Sequence, residues 1–173
     1  MDTERSFYIT SFAKCLAPGL RIGAMTTPEV LRDRCINAVR ATGWMAVPIM
    51  AETVFRIIRN GSLDRQIVLK REQAALRNEI AQRVLNRWVA PTAGAPGFHI
   101  WLPLPAGRTL TAIIAQAARA GITLAPPNAL QPDYLAGLGI RLCLGAPDTE
   151  AALENALSEV RSILERVEAI SLV

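Results

Sequence analysis

The sequence predicts an α/β fold. Short runs rich in β-branched and aromatic residues alternate with longer segments whose apolar residues recur at helical spacing. Of the 173 residues, 51% are hydrophobic and 20% are charged, which is the composition of a folded domain with a substantial core. After residue 87 the pattern is β-β-α-β-β-α, which predicts helices packed on one face of a small sheet.

The first predicted elements are two short strands joined by a loop. Residues 7–10 and 21–25 form the strands, and a Pro18-Gly19 turn lies between them. This places the amine of Lys14 at the end of a strand, with the guanidinium of Arg21 one loop away. A lysine there can form an imine with an aldehyde, and an arginine can hold a phosphate bidentately. From residue type alone, however, such a pair is more often two solvated charges.

Three helices are predicted next, over 28–40, 50–60 and 62–85. Thr27 or Thr26 would cap the first, with proline at the first helical position. Gly61 would end the second, and Ser62 would cap the third. Between the first two, a bulky Trp44 follows a glycine and interrupts the helical pattern. Considered by itself, this segment predicts a loop in which Trp44 fills an edge of the core.

The second half of the chain predicts four strands, a surface loop and two helices. The strands are expected at 88–90, 98–104, 122–125 and 139–145, the loop at 129–138, and the helices at 109–120 and 149–168, the last capped by Asp148. Arg141 is the single charge in an apolar strand, where a buried charge is costly unless paired. Either Arg141 lies on a sheet edge and faces water, or it faces a site that takes an anion.

Several functions are disfavoured by the charged and metal-binding residues. The arginines, including Arg77, are scattered at helical spacing, which indicates solvated helix faces and disfavours a nucleic-acid patch. The three cysteines have no metal-ligand spacing, and His99 stands alone in a strand, so no metal site is expected. The first residues are polar and no apolar run is long enough to cross a membrane, so we expect a soluble, cytoplasmic protein without a membrane partner.

The segment from Ser11 to Gly23, SFAKCLAPGLRIG, resembles the Schiff-base segment of fold-type I pyridoxal-phosphate (PLP) aminotransferases. The resemblance implies the C-terminal portion of the aspartate aminotransferase-like fold. It implies that Lys14 is the catalytic lysine that binds the cofactor aldehyde, and that Ser11 and Arg21 bind its phosphate. In this family a small hydroxyl residue usually precedes the lysine; here Ala13 stands in its place, which removes one polar contact near the phosphate.

Two further motifs are similar to the effector domain of MocR-type (GntR-family) transcriptional regulators. They are the run from Gly43 to Pro48, GWMAVP, and the strand from Gly97 to Pro105, GFHIWLPLP. The resemblance implies that the Trp44 loop reaches the cofactor pocket of a second subunit, and that Arg141 is the substrate-carboxylate arginine. It also implies two domains: a remnant of the cofactor-binding large domain over 1–72, and a small C-terminal α/β domain over 73–173.

A complete domain of this family is about twice as long, and its first half holds the remaining cofactor contacts. We therefore expect this chain alone to bind PLP poorly and to be catalytically incompetent. The first hypothesis is a fragment of a PLP-binding bacterial regulator that responds to an amino acid or amine, forms a homodimer, and meets DNA only through a winged-helix module outside this chain. The alternatives are a fragment of a 2-aminoadipate or aromatic aminotransferase, and a truncated domain that acts by association through the apolar surface of residues 6–60.

Overall fold

The computed structural model describes residues 4–91, 94–104, 109–124 and 139–170, the last four without their side chains. The chain divides into two compact units, Met1–Lys70 and Arg71–Val173, called here the N-terminal and C-terminal units. The boundary falls within a long helix. The assignment of residues 1–72 and 73–173 to a cofactor domain and a small domain stays a prediction.

The N-terminal unit begins with the expected pair of strands, β1 (Tyr8–Ser11) and β2 (Gly23–Thr26). They pair antiparallel, with Ser11 opposite Gly23. Three helices follow: α1 (Arg32–Gly43), α2 (Pro48–Arg59) and the first part of α3 (Ser62–Leu85). The strand pair and the three helices of this unit therefore occur where the sequence predicts them.

The helix ends of this unit differ in detail from the expected caps. No side chain caps α1; a 3₁₀ turn over Glu29–Leu31 leads into it, and the Thr27 hydroxyl donates to the Pro28 carbonyl. At the start of α3 the Asn60 side chain accepts the Ser62 amide at 2.9 Å, which is one of the amides without a partner inside the helix, while the Ser62 hydroxyl accepts from the Arg65 guanidinium at 2.8 Å. Gly61 has φ 72°, the left-handed conformation expected at the end of α2.

In its described residues the C-terminal unit contains an antiparallel strand pair, β3 (His99–Pro103) and β4 (Gly139–Cys143). Against it pack the second half of α3, α4 (Leu110–Arg119) and α5 (Glu150–Ile170). One face of each strand is buried, and the apolar stripes of the helices complete a single core. Its fully buried large side chains are Leu85, Leu102, Ile113, Ile140, Leu144, Ile163 and Leu164.

Two of the predicted strands are wrong. Residues 86–88 form a 3₁₀ turn, and the Ala90 carbonyl accepts a hydrogen bond from the Gln82 side chain at 2.9 Å, so the apolar run after α3 packs into the core without pairing. Residues 122–124 are not a strand either: a cavity of about 420 Å³ lies between them and β4. The predicted strand residue 125 and the loop over 129–138 lie outside the described residues.

The start of α5 also corrects the prediction. The Thr149 hydroxyl, and not Asp148, accepts the amide of Ala152 at 3.1 Å. The two adjacent residues are both good caps, so the sequence does not separate them. In the described part of the chain no helix is long and apolar enough to cross a membrane. The same residues hold no cluster of His, Cys, Asp and Glu able to bind a metal ion.

Candidate functional site

Lys14 lies in the loop that joins β1 to β2. Beyond the last paired residues of β1 and β2, the Phe12 amide donates to the Ile22 carbonyl at 3.1 Å, which adds one hydrogen bond to the strand ladder. The Leu16 amide then donates to the Phe12 carbonyl at 2.8 Å, which closes one helical turn around Lys14. The lysine side chain is exposed at this turn. The loop is thus fixed by backbone hydrogen bonds at its base while its amine stays accessible.

Arg21 closes the same loop in a conformation that is uncommon for an arginine. The 3₁₀ turn Pro18–Leu20 ends at Arg21, whose φ and ψ are 51° and 32° and whose amide donates to the Pro18 carbonyl at 3.3 Å. A left-handed backbone strains any residue with a Cβ atom. Glycine would fit this position without strain, so an arginine here indicates a role for the guanidinium.

The register brings the two predicted phosphate ligands to one end of the strand pair. Ser11 is opposite Gly23, and Arg21 precedes that glycine by two residues. The Ser11 hydroxyl accepts the Ala13 amide at 3.2 Å and keeps its own proton free to donate. Gly23 is constrained as well, since a Cβ there would lie 2.9 Å from the Thr10 carbonyl oxygen. A hydroxyl and a guanidinium at the end of a tight strand pair form a donor set suited to an anion.

Trp44 lies in a strained turn at the end of α1. Its φ is 64° and its ψ is −63°, and the Met45 amide donates to the Gly43 carbonyl at 2.7 Å, which defines a γ-turn with positive φ. Its side chain is 69% exposed. The prediction that Trp44 fills an edge of the core is therefore wrong. An exposed indole on a strained backbone is more typical of a contact surface.

Arg141, the fourth predicted site residue, belongs to the C-terminal unit. It lies in the middle of β4, on the exposed face, directly opposite Trp101 of β3. Among the described residues, no carboxylate lies within ion-pairing distance of its guanidinium. An exposed, unpaired arginine agrees with both alternatives drawn from the sequence: a solvated edge charge and an anion site. His99 is also exposed on β3, at the end of the strand pair.

The sequence interpretation missed a buried polar residue, Arg77, that fixes the end of the strand carrying Arg141. Arg77 of α3 was expected on a solvated face, yet it is buried and its Nη1 donates to the carbonyls of Leu144, at 2.6 Å, and Pro147, at 2.9 Å. Burying a guanidinium is tolerated only when acceptors surround it. Its spacing from the buried Ala74 and Ala81, three and four residues, is the signal that could have located it.

The neighbouring Asn78 holds the other strand. Its side-chain nitrogen Nδ2 donates to the Gly97 carbonyl at 2.6 Å and, within the helix, to the Ala74 carbonyl at 2.7 Å. The amide of Leu144 donates to the Phe98 carbonyl at 2.8 Å, so the ends of β3 and β4 are joined there. Two adjacent residues of α3 therefore anchor the end of the strand pair that lies near Arg141.

Comparisons with known proteins define the class of this chain. No family model matches it. A solved structure of Pyrococcus horikoshii kynurenine aminotransferase has the same fold, with a TM-score of 0.82, 21% identity, and coverage of 96% of this chain and 42% of that one. The fold is therefore that of the fold-type I PLP-dependent aminotransferases, as the sequence predicted.

Curated proteins of two kinds are similar in sequence. One is an uncharacterized HTH-type transcriptional regulator, YdeF, of Bacillus subtilis, 26% identical over 94% of this chain and 35% of that protein. The other is a 2-aminoadipate transaminase of Thermus thermophilus, 25% identical over 86% of this chain and 38% of that protein. The chain thus spans little more than a third of the length of these relatives. The chain is aminotransferase-like, and its relatives are HTH-type regulators as well as aminotransferases, which confirms the resemblance.

Proposed function

We propose that this chain is the C-terminal part of the PLP-binding, aminotransferase-like effector domain of a bacterial transcriptional regulator of the MocR type. The observation that supports the proposal most strongly is the strand pair β1–β2, whose loop presents Lys14 between Ser11 and a left-handed Arg21. The sequence similarity to an HTH-type regulator over 94% of the chain favours a regulator. The units over residues 1–70 and 71–173 would then belong to the cofactor domain and the small domain.

The residues of the loop fit two parts of PLP. The Lys14 amine would bind its aldehyde carbon, and the Ser11 hydroxyl and Arg21 guanidinium would bind its phosphate. When bound, PLP supplies an electron sink for chemistry at an amine. The Arg141 guanidinium would bind the carboxylate of an amino-acid effector. Lys14 lies exposed, so nothing in this unit desolvates its amine, and we expect PLP binding by this chain alone to be weak.

The partners of the proposed regulator follow from its surfaces and its relatives. The N-terminal unit exposes large apolar side chains along both strands and all three helices, which supports a homodimer formed through residues 6–60. DNA would be contacted through a winged-helix module outside this chain, as the HTH-type relative suggests. The effector would be an amino acid or an amine, and the protein would act in the cytoplasm.

A second candidate function is supported by different observations. The same residues would serve a fragment of a genuine aminotransferase, with Lys14 as the proton-transferring amine and Arg141 as the carboxylate ligand. The similarity to a 2-aminoadipate transaminase over 86% of the chain favours this alternative. Binding of PLP by Lys14 is common to both candidates. The two differ in whether bound amine is converted to a keto acid.

The chain allows a direct test of the cofactor site, because it contains two lysines only, Lys14 and Lys70. PLP is added, the adduct is trapped with borohydride, and the labelled peptides are counted by mass spectrometry. Trapping detects weak binding that an absorbance titration misses. We expect Lys14 to be labelled several-fold more than Lys70, and inorganic phosphate to suppress labelling at Lys14 alone.

The controls separate a formed site from a reactive surface amine. Arg21→Gln removes the proposed phosphate ligand and should bring labelling of Lys14 down to that of Lys70. Arg34→Gln, an exposed arginine of α1, is the matched control and should change nothing. Equal labelling of both lysines in the unaltered chain would contradict the proposal. A labelled chain that releases keto acid from added amino acids would favour the transaminase over the regulator.

A further inference from the structure

Trp101 and Arg141 share the exposed face of the strand pair in the C-terminal unit. The buried face carries Ile100 and Leu142, among others, and side chains alternate between faces along each strand. The register puts Trp101 directly opposite Arg141. Directly opposed residues of an antiparallel pair have Cβ atoms about 5 Å apart. The side chains of Trp101 and Arg141 therefore start from adjacent positions on one exposed face.

Gly139 shows where the indole lies. A Cβ atom at Gly139 would be 2.5 Å from Cε2 and 2.6 Å from Cζ2 of Trp101. The indole therefore rests on the Gly139 backbone, on the same face as Arg141 and one side-chain position along the strand. Gly139 is buried although it belongs to the exposed face, because the indole covers it. Packing against a glycine lets the indole lie close to the strand, and Arg141 beside it is exposed.

The exposure of Trp101 stands out in its unit. Among the described residues of the C-terminal unit, the large hydrophobic side chains that are exposed are Leu76 and Trp101, the latter at 41%. Apart from the half-buried Phe98, the other large apolar side chains that the structure describes in this unit are packed in or against the core. A half-exposed aromatic ring beside a cation that has no carboxylate partner among the described residues is an arrangement suited to a carboxylate that carries an apolar body.

We propose that Trp101, seated on Gly139, forms the apolar wall of the Arg141 site. This wall makes the site prefer carboxylates with an aromatic or broad apolar body over small aliphatic ones. The inference rests on the proposed function, since it takes Arg141 as the carboxylate ligand. It adds the class of effector or substrate and a residue that determines specificity.

The test compares ligands that differ in one feature at a time. The chain is titrated with 3-phenylpropanoate, propanoate and 3-phenylpropanamide, and binding is followed by the indole N–H and backbone amide signals in ¹H–¹⁵N spectra. We expect 3-phenylpropanoate to bind about two- to tenfold more tightly than propanoate, because it adds one aromatic contact. The neutral amide should bind more weakly than the acid with the same ring, because Arg141 loses its ionic partner.

Three variants assign the preference to Trp101. Trp101→Ala should reduce the ratio of the two acid affinities to about one, and Trp101→Phe should keep most of it. Gly139→Ala displaces the indole and should also reduce the ratio, but its Cβ would in addition lie 2.7 Å from the Leu102 carbonyl oxygen, so this variant counts only if its β3 and β4 amide signals match those of the unaltered chain. Leu76→Ala, which removes the other exposed apolar side chain, is the control and should leave the ratio unchanged. Melting curves establish that each variant is folded.

The outcomes separate this inference from the function on which it rests. If Arg141→Gln leaves propanoate binding unchanged, or if no carboxylate shifts the spectra, the role of Arg141 fails and the inference fails with it. If carboxylate binding depends on Arg141 but the folded Trp101→Ala variant keeps the same ratio of the two acid affinities as Trp101→Phe and the unaltered chain, the inference alone is overturned. Trp101 is then a residue of the fold only.

Discussion

The two units of the chain differ in how well they cover their own apolar surface. In the C-terminal unit one continuous core includes residues from three helices and both strands, and few of the large apolar side chains that the structure describes there reach the surface. In the N-terminal unit, the described hydrophobic residues that are buried are Ile22 and Val54, while fifteen large ones are exposed. The C-terminal unit has the burial pattern of an independent domain. The N-terminal unit has the burial pattern of a surface that another chain or segment covers.

The difference extends to charge. The N-terminal unit has ten Lys and Arg against six Asp and Glu, whereas the C-terminal unit has nine of each kind. The whole net charge of +4 therefore belongs to the unit with the exposed apolar side chains. A partner surface that covers the N-terminal unit is expected to have an apolar centre and an acidic rim. Exposed apolar surface and excess positive charge thus characterise the first 70 residues, and a continuous core characterises the described part of the rest.

The largest expected effect is a loss of stability that depends on the unit. Leu164→Ala in α5 empties a fully buried site of the C-terminal core and should cost about 2–5 kcal/mol of unfolding free energy. Leu69→Ala is the matched substitution in the N-terminal unit, at a side chain 52% exposed, and should cost less than about 0.5 kcal/mol. Urea denaturation followed by circular dichroism measures both. Equal losses would remove the distinction between the units.

How far the sequence predicts this fold is clear from particular residues. Helical periodicity, Gly61 and the Pro18-Gly19 turn locate the helices and the first strand pair, because those signals are local. The sequence wrongly predicts strands at the apolar runs 88–90 and 122–124. The prediction fails because a strand needs a pairing partner, which a local pattern does not specify. Of the site, the sequence supplied Ser11, Lys14, Arg21 and Arg141 through resemblance. Their roles stay predictions.

Other residues were beyond local sequence patterns. The burial of Arg77 depends on two carbonyls nearly seventy residues away, and a charged residue on a helix is by default expected at the surface. The packing of the Trp101 indole against Gly139 depends on the register between β3 and β4, which is known only from the structure.

The second effect concerns the buried arginine. Arg77→Met keeps the apolar stem but leaves the Leu144 and Pro147 carbonyls without their donor, and should cost about 2–3 kcal/mol. Arg71→Met, an exposed arginine of the same helix, is the control and should cost little. Thermal unfolding gives both values. A near-zero cost for Arg77→Met would mean that the core of the C-terminal unit does not depend on this buried charge.

The third effect concerns the left-handed backbone at Arg21 in the N-terminal unit. Arg21→Gly should be more stable than Arg21→Ala by about 1 kcal/mol, because glycine relieves the left-handed strain and alanine retains it. Hydrogen exchange of the β1 and β2 amides reports the difference. At the same time both variants should lose the preferential labelling of Lys14 by PLP. If alanine is the more stable of the two, the backbone at Arg21 is not strained.

The smallest effect is a pH dependence within the C-terminal unit. Arg83 donates to both carboxylate oxygens of Glu154, at 2.7 and 3.0 Å, and this hydrogen bonding lowers the pKa of Glu154 below its ordinary value. A lowered folded-state pKa stabilises the fold above the ordinary pKa, and the stabilisation is lost as the pH falls through the lowered one. Glu154→Gln should therefore lower Tm at neutral pH, by about 2 °C or less, and not in strong acid. An equal difference at both pH values would argue against the ion pair.

The measurement that tests the comparison most directly is native-state hydrogen exchange of the two strand pairs in the same sample. Amides of Ile100, Leu102, Ile140 and Leu142 should exchange only when the C-terminal core unfolds, so their opening free energy should equal that from urea denaturation. Amides of β1 and β2 should exchange at least 100-fold faster, which corresponds to roughly 3 kcal/mol or more. Equal protection in both strand pairs would show that the first 70 residues are as stable as the rest, and would contradict the account.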